Sequence, residues 1–132
     1  MRRLWANARL LVRNRIKQMP GIAPLQWAKL MSCPFCLLNT TRKWIENEHA
    51  IAFPDAYPLT NGHMLVIPRK HVSSVYELTA DEQSAVWDLV AEVRQRLLTG
   101  LTPDAFNIGV NDGLAAGQTI EHAHIHVIPR RK

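Results

Sequence analysis

No apolar run in this chain approaches the roughly 20 residues that a membrane-spanning helix needs. Cysteine is nearly absent. Cys33 and Cys36 stand alone, too few and too close together for a secreted disulfide framework. They read as a CxxC pair in a reducing compartment, which places the protein in the cytoplasm. Internal repeats and low-complexity tracts are missing as well. Acidic residues are absent from one stretch: residues 1–30 hold seven of the 16 Lys/Arg and none of the 11 Asp/Glu. Residues 31–132 therefore carry nine basic and 11 acidic groups, a net of −2, although the whole chain is formally +5. A nucleic-acid reading of the high pI would rest on the first segment alone, so no specific nucleic-acid binding is expected. The 132 residues, 47% hydrophobic, suffice for one globular domain with a real core.

What is present divides at Met31. In residues 2–18, Leu4, Trp5, Ala8, Leu11, Val12 and Ile16 make a helical apolar stripe, with the arginines mostly off it. Pro20-Gly21 ends that helix. The apolar part is short and interrupted by charge, and no small-residue cleavage site follows, so it is not a secretory signal. Three readings of this basic amphipathic extension stand side by side. It lies on a membrane surface, it docks on the domain, or translation starts at Met31.

Residues 31–132 read as a compact α+β domain. Cys33-Pro34-Phe35-Cys36 is a tight turn. Trp44–Glu46 and Ala50–Phe53 are short strands, and Asn61-Gly62 is a hairpin signal. His63–Pro68 is a buried strand closed by proline. Thr79 and Glu82 form a capping box that opens a helix with the stripe Val86, Leu89, Val90, Val93 and Leu97, closed by Gly100. Ala105–Val110 is a strand, Asn111–Gly117 a glycine-containing loop, and Thr119–Ile128 a last strand.

That last strand carries His122, His124 and His126 at every second position. Alternate residues of a strand share a face, so the imidazoles form one row while Ala123, Ile125 and Val127 face a core. A shuffled chain of this composition yields such an array about once in a hundred. Asn111-Asp112-Gly113 and Gly117-Gln118-Thr119 precede the row. Their side chains donate hydrogen bonds without adding a competing nucleophile, and glycines expose backbone N–H groups, a rim suited to phosphate oxygens.

From Asn111 to Arg130, and again over Gly62–His71 with Phe53-Pro54-Asp55 before it, the sequence resembles the histidine triad (HIT) proteins. The likeness covers about residues 31–130. It implies the HIT-like fold, an antiparallel sheet with a long helix packed on it, here preceded by the basic amphipathic helix of residues 1–30. It also implies a homodimer and a nucleotide substrate. By position, His124 would be the nucleophile that attacks the α-phosphorus and forms a nucleotidyl-histidine, which water resolves to the nucleoside monophosphate. The His122 backbone carbonyl would hold the far nitrogen of His124, and His126 would contact the phosphate and leaving-group side. Asn111 and Thr119 match phosphate-region positions, with Gln118 adjoining. Asp55 matches the ribose acceptor, Phe35, Leu38 and Phe53 the base pocket, and His63 a further site histidine. Cys33, Cys36, His71 and His122 match a structural zinc set found in some members; a reduced thiol pair is the plain alternative.

The motif run is closer to the dinucleoside polyphosphate hydrolases, which act on compounds such as Ap4A, than to the phosphoramidases. Purine nucleoside phosphoramidase activity remains an alternative. So do a non-enzymatic nucleotide-binding protein and a metalloenzyme using all three triad histidines as ligands. A surface Asp55 turn and plain core roles for Phe35 and Phe53 are the simpler readings of those residues.

Overall fold

The structure, a computed structural model, describes residues 32–37 and 42–132. The amphipathic helix expected in residues 2–18 and the base-pocket residue Leu38 lie outside the described residues. The chain falls into two compact units, Met1–Thr41 and Arg42–Lys132. In the first, Pro34–Leu37 forms one helical turn, α1, where the sequence suggested a tight turn. Proline suits the opening of such a turn because its missing N–H would have had no helical partner.

The second unit is a five-stranded antiparallel sheet. Its strands are β1 (Ile45–Glu46), β2 (Ala50–Pro54), β3 (Met64–Pro68), β4 (Ala105–Val110) and β5 (Ile125–Arg130). They lie in the order β1-β2-β3-β5-β4, every neighbouring pair antiparallel. A 22-residue helix, α2 (Ala80–Leu101), packs across β2, β3 and β5. Thr79 and Glu82 cap it reciprocally, as the sequence predicts. Its stripe of Val86, Leu89, Val90, Val93 and Leu97 is buried against Ala50, Ala52, Val66, Ile125 and Val127. The small alanines of β2 let the helix approach the sheet closely. No helix among the described residues is long and apolar enough to cross a membrane.

Two element ends differ from the sequence reading. Helix α2 does not close at Gly100. It runs to Leu101, and Thr102 takes the left-handed conformation (φ 48°) with its N–H on the Leu98 carbonyl. Pro103 accounts for the helix ending there, since the residue before a proline is driven out of the right-handed helical region. The last strand begins at Ile125 and not near Thr119. Ahead of it the backbone leaves the ladder, and the Ala123 N–H donates to the Val72 carbonyl at 2.7 Å.

Candidate active site

The β2–β3 hairpin sets one wall of the site. Its register pairs Phe53 with Leu65, and β3 in turn pairs Leu65 with His126 of β5. Phe53, Leu65 and His126 therefore form a row across three strands, on the face turned away from α2. His63 shares that face two residues before Leu65. On the other side of β5, Gly109 of β4 pairs with His126. Among the described residues a Cβ at Gly109 would meet nothing within 4 Å.

The loop joining β2 to β3 is short and closed. Asp55 N–H donates to the His63 carbonyl at 3.0 Å, and His63 N–H to the Thr60 carbonyl at 3.2 Å. Gly62 supplies the positive φ of 89° that this turn requires, and a Cβ there would collide with Leu101 Cδ1. Thr60 Oγ1 pins the loop to the Pro129 carbonyl at 2.7 Å.

Each triad imidazole has a distinct backbone or ring partner. His124 Nδ1 lies 2.8 Å from the His122 carbonyl. A carbonyl only accepts, so Nδ1 carries the proton and the lone pair resides on Nε2. His122 Nε2 lies 2.8 Å from the Pro68 carbonyl, which by the same logic leaves the His122 lone pair on Nδ1. His126 Nδ1 lies 2.9 Å from His63 Nε2. The His124 and His126 rings meet edge-on with centroids 5.1 Å apart. Burial lowers the His63 pKa below the usual histidine value, Asp55 opposing the shift and Arg130 adding to it. Burial also lowers that of His126, aided by His124 and His63 and opposed by Asp55. Both rings are neutral at pH 7.

The remaining predicted residues divide. Asp55 is at once the turn residue of the plain reading and a site carboxylate. Its Oδ1 accepts from Tyr57 N–H at 2.8 Å, and Oδ2 stands 3.4 Å from His63 Nε2. Phe53 is buried on β2 and Phe35 on α1. Asn111 and Thr119 are exposed at the rim, and the positive φ of Gly117 (95°) brings its backbone against the Asn111 amide. Gln118 turns inward. Its Nε2 donates to the Ser73 and Ile120 carbonyls, and its Oε1 accepts from Gly113 N–H. With both amide hydrogens engaged, it braces the loop and has no donor left for a phosphate.

The zinc set is represented by two pairs, one in each unit. Cys36 N–H donates to Cys33 Sγ at 3.4 Å, and the Cys33 contact and burial push the Cys36 thiol well up. In the second unit the His71 and His122 rings meet edge-on, centroids 5.1 Å apart. An imidazole that donates one N–H to a backbone carbonyl, as His122 does, is in the usual pose of a metal ligand. That same arrangement speaks against the three-histidine metalloenzyme. The His124 and His126 nitrogens are oriented by a carbonyl and by His63, and the three triad rings form no common ligand group among the described residues.

An antiparallel sheet backed by one long helix, with alternate imidazoles at the head of a central strand, defines an α+β protein with a cluster of imidazoles on one face of its sheet. Residues 38–132 match the HIT domain, and the chain belongs to that family. It is 41% identical over 103 residues to an uncharacterised HIT-like protein of Mycoplasma genitalium, covering 75% of this chain and 73% of that one. It is 41% identical over 81 residues to the asymmetrical bis(5'-nucleosyl)-tetraphosphatase of Schizosaccharomyces pombe, 61% of this chain but 44% of that protein. An adenosine 5'-monophosphoramidase of the same yeast is 33% identical over 104 residues, 76% and 75% of the two chains. Among solved structures, a HIT family protein of Bacillus anthracis superposes with a TM-score of 0.72 at 35% identity, covering 76% and 74%. A zinc-bound histidine triad protein of Mycobacterium smegmatis gives 0.64 at 36%, covering 77% of each.

Proposed function

We propose that this protein hydrolyses nucleoside phosphate derivatives through a nucleotidyl-histidine on His124. The observation that carries this reading is the contact of His124 Nδ1 with the His122 carbonyl, because it fixes the lone pair on the nucleophilic Nε2. Attack of Nε2 on the α-phosphorus forms the P–N bond and breaks the bond to the leaving group. Water then attacks the same phosphorus and frees the nucleoside monophosphate. Asn111 and Thr119 would hold the phosphate, Asp55 the ribose, and Phe53 with Phe35 and Leu38 the base. The test is a panel of adenylated substrates assayed for AMP. No AMP from any of them, with nucleotide still bound, would leave a binding protein in place of an enzyme.

A second reading concerns the leaving group. A groove of about 510 Å³ is lined by Ser73, Ser74, Asp112, Leu114, Thr119 and Glu121, among others. Two carboxylates and no described Lys or Arg line it, which suits a neutral or cationic leaving group better than a polyphosphate. The phosphoramidase alternative gains support from this groove and the dinucleoside polyphosphate assignment loses some. The panel should therefore include an adenosine phosphoramidate beside a dinucleoside tetraphosphate.

Cys33, Cys36, His71 and His122 would hold one structural zinc. The thiol pair and the His122 Nδ1 lone pair fit it, and a zinc-bound relative agrees. Zinc there would brace the fold and leave His124 to the chemistry. Protein purified without chelator should contain about one zinc per chain and unfold at lower temperature after its removal. A metal-free protein of full stability would return the cysteines to an ordinary turn. The half-exposed edge strand β4, with Ile108 39% exposed, would carry the homodimer contact. The domain would comprise residues 31–132, with residues 1–30 an extension that plays no part in turnover; of its three readings, the membrane-surface one would give salt-sensitive binding to anionic lipid vesicles.

A further inference from the structure

We propose that the backbone amide of Leu59, acting through His63, fixes the ring proton of His126 on Nε2, so that the site presents a lone-pair imidazole and an N–H imidazole side by side. The donors form a chain that cannot be reversed. Leu59 N–H lies 3.1 Å from His63 Nδ1, and an amide nitrogen only donates, so His63 Nδ1 must hold a lone pair. A neutral ring has one N–H, and His63 must therefore carry it on Nε2. That nitrogen faces His126 Nδ1 at 2.9 Å and Asp55 Oδ2 at 3.4 Å. The shorter contact makes His126 Nδ1 the acceptor and leaves the His126 proton on Nε2.

His124, oriented by a carbonyl, is set the opposite way, with its lone pair on Nε2. Two imidazoles with centroids 5.1 Å apart thus receive opposite polarity from two different backbone groups. In water the two tautomers of either ring differ little in energy, so one hydrogen bond suffices to choose between them. His63 is a positioning residue here, and it acts through His126. The catalytic consequence rests on the hydrolase reading: a fixed N–H on His126 Nε2 would donate to the phosphate or leaving-group oxygen while His124 attacks.

The same chain of donors decides another question about this cluster. Asp55, His63 and His126 bring ligand atoms within 4.8 Å of one another, an outline that suits a divalent metal held by two histidines and a carboxylate. Metal at His63 Nε2 would require either an imidazolate ring or loss of the Leu59 hydrogen bond. The cluster is a hydrogen-bond relay.

The test is a long-range proton–nitrogen NMR spectrum of the imidazoles in the full ¹⁵N-labelled chain, at about pH 8, where histidine is neutral. His63 and His126 should both show a protonated Nε2 and a bare Nδ1, whereas His124 should show the reverse. A protonated Nδ1 on His126 would overturn the relay, whatever the activity. Correct tautomers in a protein without turnover would sink the hydrolase reading and leave the relay standing. His63→Phe should release His126 into a mixture of tautomers and lower kcat about fivefold or more with little change in KM. His63→Gln, whose amide can still donate, should restore much of both. Unchanged His126 nitrogen signals in a folded His63→Phe protein would also overturn the proposal.

Discussion

The two faces of the central sheet are built on different principles. Toward α2 stand Ala50, Ala52, Val66, Ile125 and Val127, all fully buried and free of polar side-chain atoms. On the opposite face stand the buried apolar Phe53 and Leu65 beside His63 and His126, and the two imidazoles owe their arrangement to single hydrogen bonds aimed at ring nitrogens. The helix side is specified by volume and by exclusion of water, so similar side chains can replace one another with repacking. The imidazole side is specified by which atom carries each proton. There an isosteric change that moves one hydrogen can remove function and leave the fold untouched.

The strongest break in that contrast is His124→Asn. The amide fits the space but offers no nucleophile, and turnover should fall by at least about 10³-fold while the melting temperature stays near that of the parent. AMP release near the parent rate would refute the role of His124. The converse substitution is Ile125→Ala, one residue away and facing the helix. It should cost about 2–5 kcal/mol of stability, read by denaturant unfolding, with kcat per folded molecule nearly unchanged. Asp55→Asn separates the two roles of that carboxylate. It keeps an acceptor for Tyr57 N–H but removes one of the two oxygens proposed for the ribose, so KM should rise about tenfold with a smaller change in kcat. An equal fall in kcat at constant KM would count against ribose binding.

The smallest effect concerns acid. Burial holds the folded-state pKa values of His63 and His126 below their ordinary value of 6.5. The unfolded chain thus binds protons more readily than the native one. The stability tied to neutral rings is fully present above pH 6.5 and should decline as pH falls through that value toward the lower folded pKa values. His63→Phe should flatten this decline in urea midpoints measured between about pH 7 and 5. An unaltered slope would mean that other groups govern it.

Much of this was legible in the sequence because it was written in side chains at fixed spacing. The Thr79–Glu82 box and the stripe of α2 each state their own geometry, whereas of the period-two histidines only His126 lies in the strand. What escaped lay in the backbone. Leu59 contributes an amide that any residue but proline would supply, so nothing in its identity marks it. The Pro68 carbonyl is equally silent. Gln118 misled in the other direction, since a polar side chain beside glycines suits a phosphate and a loop brace equally well. Only the positions of Ser73 and Ile120, distant and near in sequence, decide between them. The late start of β5 has the same origin: the Ala123 N–H is held by Val72, a long-range contact with no local sequence signature.

Gly62 has a bearing on how such a protein can diversify. Its backbone lies against Leu101 at the end of α2 and Pro129 in β5, while Thr60 is fastened to Pro129. The segment between Asp55 and His63 is a ring without slack, and an inserted residue would have to displace a helix end and a central strand. The segment Leu114–Ala116, by contrast, is an exposed single turn with no buried residue. Insertions and new side chains can accumulate there at little structural cost, next to the groove proposed for the leaving group. The architecture thus sets a sterically locked half of the proposed site beside a half open to change, and substrate range could drift through the second while the first stays fixed.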